Sequence, residues 1–304
     1  MLKIGVQTGE FVLPASVDAD FRTLAECGFD AADLNFPDRV TKDDAFLSFW
    51  NRPVEDLIAQ YAPYREAAEK YGIAFSQCHA PFPLALEGED DFNDYLVTTV
   101  MEKACATAAA MHCPNIVAHP LSRDSKEQEW ADNMKLYRAL IPIAKKHGVK
   151  ICLENLFTSA TGRIRAGACA DADEACRYLD TLNAEAGEEC FGFCFDVGHA
   201  NLVHTDIRAY LNKLGKRLTI LHIHDNDGVD DLHLIPYSQA RYRKSCALAL
   251  DWEGFVKGLR DIGYDGTLSF ETFRVMQLVP RELHTPTLRY IAEIGQYFKS
   301  RIEA

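Results

Sequence analysis

The chain has 304 residues, of which 48% are hydrophobic and 25% are charged, and its formal net charge is −13. This composition is typical of a globular protein and excludes a disordered or fibrous chain. The excess of acidic residues disfavours non-specific binding to nucleic acid or to an anionic membrane.

Cysteine usage and the N-terminus predict a soluble protein of the reducing cytoplasm. None of the ten cysteines belongs to a C-x-x-C pair, and several sit in apolar runs, where a free thiol behaves as a small hydrophobe. Residues 1–6 read as a strand and lack the basic and apolar segments of a signal peptide. The sequence has no apolar stretch of membrane-spanning length, so we expect no membrane partner.

Short apolar runs alternate with longer amphipathic runs from one end of the chain to the other. The apolar runs predict strands and the amphipathic runs predict helices. In chain order, the predicted elements are strand 4–8, helix 18–27, strand 31–36, helix 54–71, strand 73–79, helix 92–111, strand 116–119, helix 127–147, strand 150–154, helix 171–182, strand 191–196, helix 206–214, strand 218–224, helix 252–262, strand 267–271 and helix 283–302.

This strict alternation predicts an α/β fold with a parallel sheet covered by helices. Eight strand–helix units fit a closed (β/α)₈ TIM barrel. A doubly wound open sheet is the alternative, but Gly5 and Gly9 are too few and wrongly spaced for its phosphate-binding turn. Because the sequence contains no linker or low-complexity segment, we expect residues 1–304 to form a single barrel domain.

Most of the later predicted strands end in a carboxylate or an imidazole after an apolar run. Active sites of such barrels lie at the carboxyl ends of the strands, so these side chains should meet at one mouth. The strand-end residues are His79, His119, Glu154, Asp196, His222, His224 and Glu271. Three more candidates, in the segments after two of these strands, are His199, Asp231 and His233.

Four of these residues, Glu154, Asp196, His222 and Glu271, predict a divalent metal site. Carboxylate and imidazole ligands suit Mn²⁺, Zn²⁺, Mg²⁺ or Co²⁺, and the absence of thiolate ligands disfavours a structural zinc site. Without a cation the converging acids would repel one another. Since His222 and His224 alternate to the same face of their strand, we expect one to bind the metal and the other to contact a ligand or substrate.

Each residue taken alone also has a structural interpretation. A strand-end carboxylate is more often a helix cap or half of a surface ion pair. His79 and His119 each precede a proline turn and, taken singly, are better explained as turn residues than as ligands. His224 is equally well explained as a buried histidine with its hydrogen bonds satisfied. The convergence of four residues at corresponding strand positions is what favours the metal site.

Several segments together resemble the xylose-isomerase-like TIM-barrel superfamily, and more narrowly its sugar phosphate isomerase/epimerase branch. The segments are CLEN at 152–155, FDVGHA at 195–200, LHIHDN at 221–226, SFE at 269–271, DLHLIP at 231–236, DW at 251–252 and GYDG at 263–266. The resemblance covers essentially the whole chain. Its motifs are specific as a set and weak one by one.

The resemblance implies that Glu154, Asp196, His222 and Glu271 hold one divalent ion, often manganese. It also implies that Glu154 and Glu271 form an acid/base pair and that His199 contacts substrate hydroxyls. The expected activity is isomerisation or epimerisation of a sugar or sugar phosphate through a metal-stabilised enediolate. A lyase or dehydratase that begins from the same enediolate fits equally well.

The same superfamily contains endonuclease IV, which implies a second function class. Its three-zinc site has further ligand positions that match His79, His119, His199, Asp231 and His233. A multinuclear zinc phosphodiesterase is therefore the alternative, although the acidic balance argues against a nucleic-acid partner. The third hypothesis is an inactive barrel or a binding protein. The presence of both Glu154 and Glu271 argues against it. The number of bound metal ions would separate these functions.

One departure from the family pattern affects the substrate. An insertion at 237–250 separates the DLHLIP segment from the DW pair, and it carries Arg241, Arg243 and Lys244. These cations could bind a phosphate or acid group, or they could form a solvated basic loop. The expected partner is a small-molecule sugar, and exposed barrel helices suggest by analogy a homo-oligomer.

Overall fold

A computed structural model of the chain describes residues 1–159, 162–239 and 249–304. Its main sheet has the strand order β10-β1-β2-β3-β4-β5-β8-β9, and every pairing in this sheet is parallel. The strands are β1 Lys3–Gln7, β2 Ala31–Leu34, β3 Ala74–His79, β4 Asn115–Val117, β5 Lys150–Glu154, β6 Phe157–Thr158, β7 Arg165–Ala166, β8 Phe191–Asp196, β9 Leu218–His222 and β10 Thr267–Phe270.

The residue after β9 closes the sheet into a barrel. The backbone N–H of Ile223 donates to the carbonyl of Ser269 at 2.9 Å, and the N–H of Glu271 donates to the carbonyl of Ile223 at 3.0 Å. These bonds join the two edge strands, so the predicted TIM barrel is confirmed. Strands β6 and β7 form a separate antiparallel hairpin, which the sequence pattern did not predict.

The helices surround the barrel. They are α1 Val17–Cys27, α2 Asp44–Asn51, α3 Val54–Lys70, α4 Asp90–Tyr95, α5 Glu102–Ala110, α6 Lys126–His147, α7 Ala172–Ala186, α8 Val197–Leu202, α9 Ile207–Leu214, α10 Trp252–Ile262, α11 Phe273–Leu278 and α12 His284–Ile302. A π-helical turn, Leu96–Met101, connects α4 and α5. The single helix predicted at 92–111 therefore consists of two α-helices joined by this turn. Among the described residues, every helix is too short or too polar to traverse a lipid bilayer.

Capping residues explain where several predicted helices begin and end. Asp171, predicted as the first residue of helix 171–182, is the N-cap of α7 and accepts from the backbone N–H of Glu174. Asp206 was predicted as the first residue of α9 and is instead its N-cap. Gly148 and Gly263 end α6 and α10 in the left-handed conformation, which glycine adopts without strain. The unpredicted helices α2, α8 and α11 are six to eight residues long, too short for a clear period.

The apolar core has two layers. A large cluster fills the space between the strands and the helices, and a small one, Val117, Cys152, Cys194 and Ile220, fills the barrel interior. This small inner cluster is followed by polar side chains, so the barrel interior changes from apolar to polar toward the carboxyl ends of the strands. That change places the candidate site. The single-domain assignment stays a prediction.

Gly295 lies where α12 packs on the barrel. A Cβ atom there would come within 2.6 Å of Cγ2 of Ile4 and 3.1 Å of a ring carbon of Phe270. We predict that Gly295→Ala lowers the free energy of unfolding by about 1–3 kcal/mol through overpacking, measured by urea denaturation. The exposed neighbour Gln296→Ala is the control and should change it by less than about 0.5 kcal/mol. An unchanged stability would contradict close packing here.

Candidate active site

The predicted ligand residues meet at one mouth of the barrel. Glu154, Asp196 and His222 are the last residues of β5, β8 and β9, and Glu271 directly follows β10. Because parallel strands end at the same rim, Glu154, His222 and Glu271 line one cavity of about 520 Å³, and Asp196 is buried beside them. The predicted residues that line it are His79, His119, Glu154, His199, His222, Asp231, His233 and Glu271.

His222 is at the centre of the cluster. Its Nδ1 atom lies 3.3 Å from Oε1 of Glu154, 3.4 Å from Oε2 of Glu271 and 3.8 Å from Oδ2 of Asp196. Glu154, Asp196 and His222 are each at most 1% exposed, while the side chain of Glu271 keeps 13% exposure. The structure therefore brings the four predicted ligands together, with Glu271 the most accessible from the cavity.

Charge governs the titration of this centre. Burial alone would lower the pKa of His222, but the neighbouring Cys194, followed by Glu271 and Glu154, raises its pKa well above the ordinary value. Burial alone would raise the pKa of Glu154, but His222 and His119 hold that pKa well below its usual range. Glu154 is thus ionised near neutral pH, and a positive partner beside it is favoured.

A second group extends from Glu154 toward β3 and β4. His119 Nε2 lies 3.0 Å and His79 Nε2 3.8 Å from Oε2 of Glu154. The same two imidazole nitrogens are 2.9 Å apart, so they share a hydrogen bond when one of them carries the proton. Both rings line the cavity, although each histidine precedes a proline turn.

A third group lies on the other side, in the segment after β9. Oδ2 of Asp231 accepts from Nε2 of His233 at 3.0 Å and lies 3.6 Å from Nε2 of His199. Nδ1 of His233 is 3.5 Å from Oε2 of Glu271, which links this group to the centre. Burial raises the pKa of Asp231, but hydrogen bonds from His199 and His233 lower it below its ordinary value.

His224 supports the cluster from below. Its Nε2 lies 3.1 Å from both carboxylate oxygens of Asp196, its ring is fully buried, and it stacks on the ring of His233 at 4.0 Å. A Cβ atom at Gly198 would lie 2.0 Å from Cε1 of His224, so only glycine allows this approach. His224 therefore holds Asp196 in place, and its expected role beside a bound metal or substrate stays a prediction.

Three phenylalanines form a collar above the polar cluster, and the sequence analysis missed them. Phe82 packs on His119 at 4.5 Å, Phe157 on His199 at 5.1 Å, and Phe273 on His233 at 4.6 Å between ring centroids. Each follows a cluster residue, His79, Glu154 or Glu271, by two or three positions, and this spacing was the available signal.

Two arginines lie outside this collar. The Arg39 guanidinium is 5.0 Å from the ring centroid of Phe82, and that of Arg274 is 5.6 Å from the centroid of Phe273. Both arginines line the cavity, and their stacked faces leave the N–H edges available to an acceptor. The predicted substrate cations, Arg241, Arg243 and Lys244, lie outside the described residues.

The donor set fits a divalent cation. Several groups of three side chains have ligand atoms within 4.8 Å of one another, close enough to share an ion. The groups are Asp196, His222 and Glu271; Glu154, Asp196 and His199; His79, His119 and Glu154; His224, His233 and Glu271; and Glu154, Cys194 and His222. Oxygen and imidazole donors dominate, as in Mn²⁺ and catalytic Zn²⁺ sites. Cys194, just below the centre, is a thiol that the sequence analysis did not consider as a ligand.

Comparisons with known proteins relate the chain to one group of barrels. The family described as "Xylose isomerase-like TIM barrel" matches residues 21–294. An uncharacterized protein of Sinorhizobium fredii, y4fM, is 27% identical over 199 residues, which are 63% of this chain and 53% of that protein. The chain thus matches about half of that relative's length.

Solved structures share the whole barrel. A D-tagatose 3-epimerase-like protein aligns with a TM-score of 0.66 and 21% identity, covering 97% of this chain and 99% of that chain. The IOLI protein, solved with a binding zinc atom, aligns with a TM-score of 0.66 and 18% identity, covering 97% of this chain and 96% of that chain. At these identities the similarity establishes the fold.

The stability of chelator-treated protein should decrease in alkali. Burial lowers the pKa of His224, but Asp196 raises it to about 9 from an ordinary 6.5. Because the folded state holds this proton more tightly, its stabilisation is complete below about pH 6.5 and is lost as pH rises through about 9. Urea denaturation in EDTA from pH 6 to 10 measures this effect.

His224→Gln should flatten part of that pH profile. The matched control is His112→Gln, whose 72% exposed side chain lies outside the cluster and should leave the slope unchanged. A wild-type stability that is constant from pH 7 to 10 would contradict the assigned charge state.

Proposed function

Because the chain belongs to the xylose isomerase-like TIM barrel family, we propose that it is a divalent-metal-dependent isomerase or epimerase of a sugar or sugar phosphate. The observation that carries the proposal is the pair of carboxylates, Glu154 and Glu271, on either side of Nδ1 of His222 at 3.3 and 3.4 Å. They face an open cavity, so a bound substrate can reach two proton-transfer groups at once.

In this proposal Glu154, Asp196, His222 and Glu271 hold one divalent ion, with Mn²⁺ first and Zn²⁺, Co²⁺ or Mg²⁺ as other candidates. When bound, such an ion supplies Lewis acidity that stabilises negative charge on substrate oxygens. Two contacts fix the orientation of buried Asp196. Nε2 of His224 lies beside its carboxylate, and the backbone N–H of His199 donates to its Oδ1 atom at 2.6 Å.

Proton transfer is assigned to the two glutamates. The carbon next to a carbonyl is a weak acid, so a base must lie close to its proton. Glu154 and Glu271 extend from β5 and from the end of β10, and each can take or return the proton at a carboxylate oxygen. A proton returned to the other face of the carbon gives epimerisation, and one returned to the neighbouring carbon gives isomerisation.

The cavity wall suits a carbohydrate. The collar of Phe82, Phe157 and Phe273 offers apolar surface to the C–H face of a sugar and limits water around the reacting carbons. His199, 9% exposed at its side chain, is placed to contact a substrate hydroxyl. The similarity to a D-tagatose 3-epimerase-like protein supports this class. Arg39 and Arg274 at the rim are compatible with a phosphate on the substrate.

A zinc phosphodiesterase is the second candidate, because all nine residues of the implied three-zinc set converge on this mouth. The supporting contacts are the His79–His119 pair at 2.9 Å and the Asp231–His233 pair at 3.0 Å. The net charge of −13 argues against a polyanionic substrate. A lyase or dehydratase would use the same glutamates on a substrate that loses water.

We predict that Glu154→Gln and Glu271→Gln each reduce turnover at least about 100-fold, since general acid–base catalysis contributes at least that factor. The assay incubates ketoses and ketose phosphates in D₂O and measures deuterium at the carbon next to the carbonyl. The control is Glu293→Gln, an exposed carboxylate on α12. Near-normal exchange in either variant would refute the acid/base assignment.

Metal analysis discriminates among the candidate functions. For the isomerase we expect one ion per chain by native mass spectrometry, loss of deuterium exchange after EDTA treatment, and recovery on addition of Mn²⁺. Three zinc ions per chain together with cleavage of abasic DNA would establish the phosphodiesterase instead. A chain that binds no ion would refute both and favour an inactive barrel.

A further inference from the structure

A small polar layer lies inside the barrel below the cavity. Asp33, in β2, is 3% exposed, and Gln77, in β3, is fully buried. Nε2 of Gln77 donates to Oδ2 of Asp33 at 3.1 Å and to the carbonyl of Leu221 at 3.2 Å. Leu221 immediately precedes His222, so Gln77 ties Asp33 to the backbone that carries the central histidine.

The two nitrogens of His222 face different surroundings. Nδ1 faces Glu154, Glu271 and Asp196, whereas Nε2 lies 3.9 Å from Oδ2 of Asp33. Among the described residues, Asp33 is the one carboxylate whose ion-pair contact with His222 is through Nε2, whereas Glu154, Asp196 and Glu271 contact Nδ1. Neither Nε2 nor the other oxygen of Asp33, Oδ1, has a hydrogen-bond partner within the part of the chain that the structure describes.

From this geometry we infer that Asp33 is a positioning residue, held by Gln77, which keeps the proton of His222 on Nε2. A neutral imidazole binds a cation only through the nitrogen that lacks a proton, and the group near the other nitrogen selects the tautomer. When Asp33 is ionised, its carboxylate beside Nε2 favours the proton there and leaves the Nδ1 lone pair toward Glu154 and Glu271. The inference rests on the proposed function, in which His222 is a metal ligand.

The position of Asp33 supports this role over a purely structural one. An isolated buried carboxylate is unfavourable unless it is paired or hydrogen-bonded. Gln77 donates one hydrogen bond to Oδ2 of Asp33, and Nε2 of His222 lies 3.9 Å from the same oxygen. Asp33 is not among the residues that line the cavity, so it acts on the site through His222 and not by touching substrate.

The test measures Mn²⁺ affinity of the full chain by electron paramagnetic resonance and isothermal titration calorimetry. We expect Asp33→Asn to raise the Kd about 10–100-fold, the usual effect of losing the partner of a metal-binding histidine. Gln77→Met should raise it by a smaller factor, and it serves as the second variant if Asp33→Asn does not fold. The control is Asp30→Asn, at the opposite end of the barrel beside the N–H of Ile4, which should leave the Kd unchanged.

A double-mutant cycle separates positioning from a general charge effect. In a His222→Gln background, Asp33→Asn should change the Kd by less than about twofold, because the histidine through which it acts is gone. An equal loss in both backgrounds, or a wild-type Kd in both Asp33→Asn and Gln77→Met, would overturn the inference. Absence of Mn²⁺ and Zn²⁺ binding by the wild-type chain would instead overturn the proposed function.

Discussion

The mouth of the barrel confines three carboxylates around one imidazole nitrogen, all within 3.8 Å of it. Like charges this close raise each other's energy, and burial removes the water that would screen them. The arrangement is stable only with compensating positive charge, from protons on the histidines or from a cation. The other features of the site follow from this requirement.

The fold supplies the rigidity that such a cluster needs. Backbone pairing from Glu154 to Cys194 and from Asp196 to His222 fixes neighbouring strand ends in register. Side chains at those ends therefore cannot separate to relieve repulsion. Gly198 allows His224 to approach beneath Asp196, and the hydrogen bonds of Gln77 cross the barrel interior below the centre. Close packing thus holds in place charges that would otherwise move apart.

Much of the barrel and its centre could be predicted from the sequence. Strands 150–154 and 191–196 and helix 252–262 have the predicted bounds, because each is a clear run ended by a carboxylate or glycine. The alignment of strand ends in a barrel then placed Glu154, Asp196, His222 and Glu271 together. The resemblance to the xylose-isomerase-like barrels is confirmed by the family match.

The remaining features have no local signal. Helix α11 has six residues, and hairpin β6–β7 has two per strand, so neither shows a period. Asp33 lies in the run AADL at 31–34. This apolar run predicts a strand, and a single polar residue within it does not indicate a contact with His222. Its contact with His222 joins positions far apart in the chain, and only the closed barrel brings them together.

The number of cations determines what the outer histidines can do. Four carboxylates, from Glu154, Asp196, Asp231 and Glu271, belong to the cluster, and one divalent ion neutralises only half of that charge. Despite burial, Glu154 raises the pKa of His79 and Asp196 raises the pKa of His199, so protonated imidazoles supply part of the rest. An imidazole that binds a metal through one nitrogen keeps at most one N–H, whereas an imidazolium donates from both nitrogens. The proposed single ion would therefore leave more hydrogen-bond donors for a polyol substrate than three ions would.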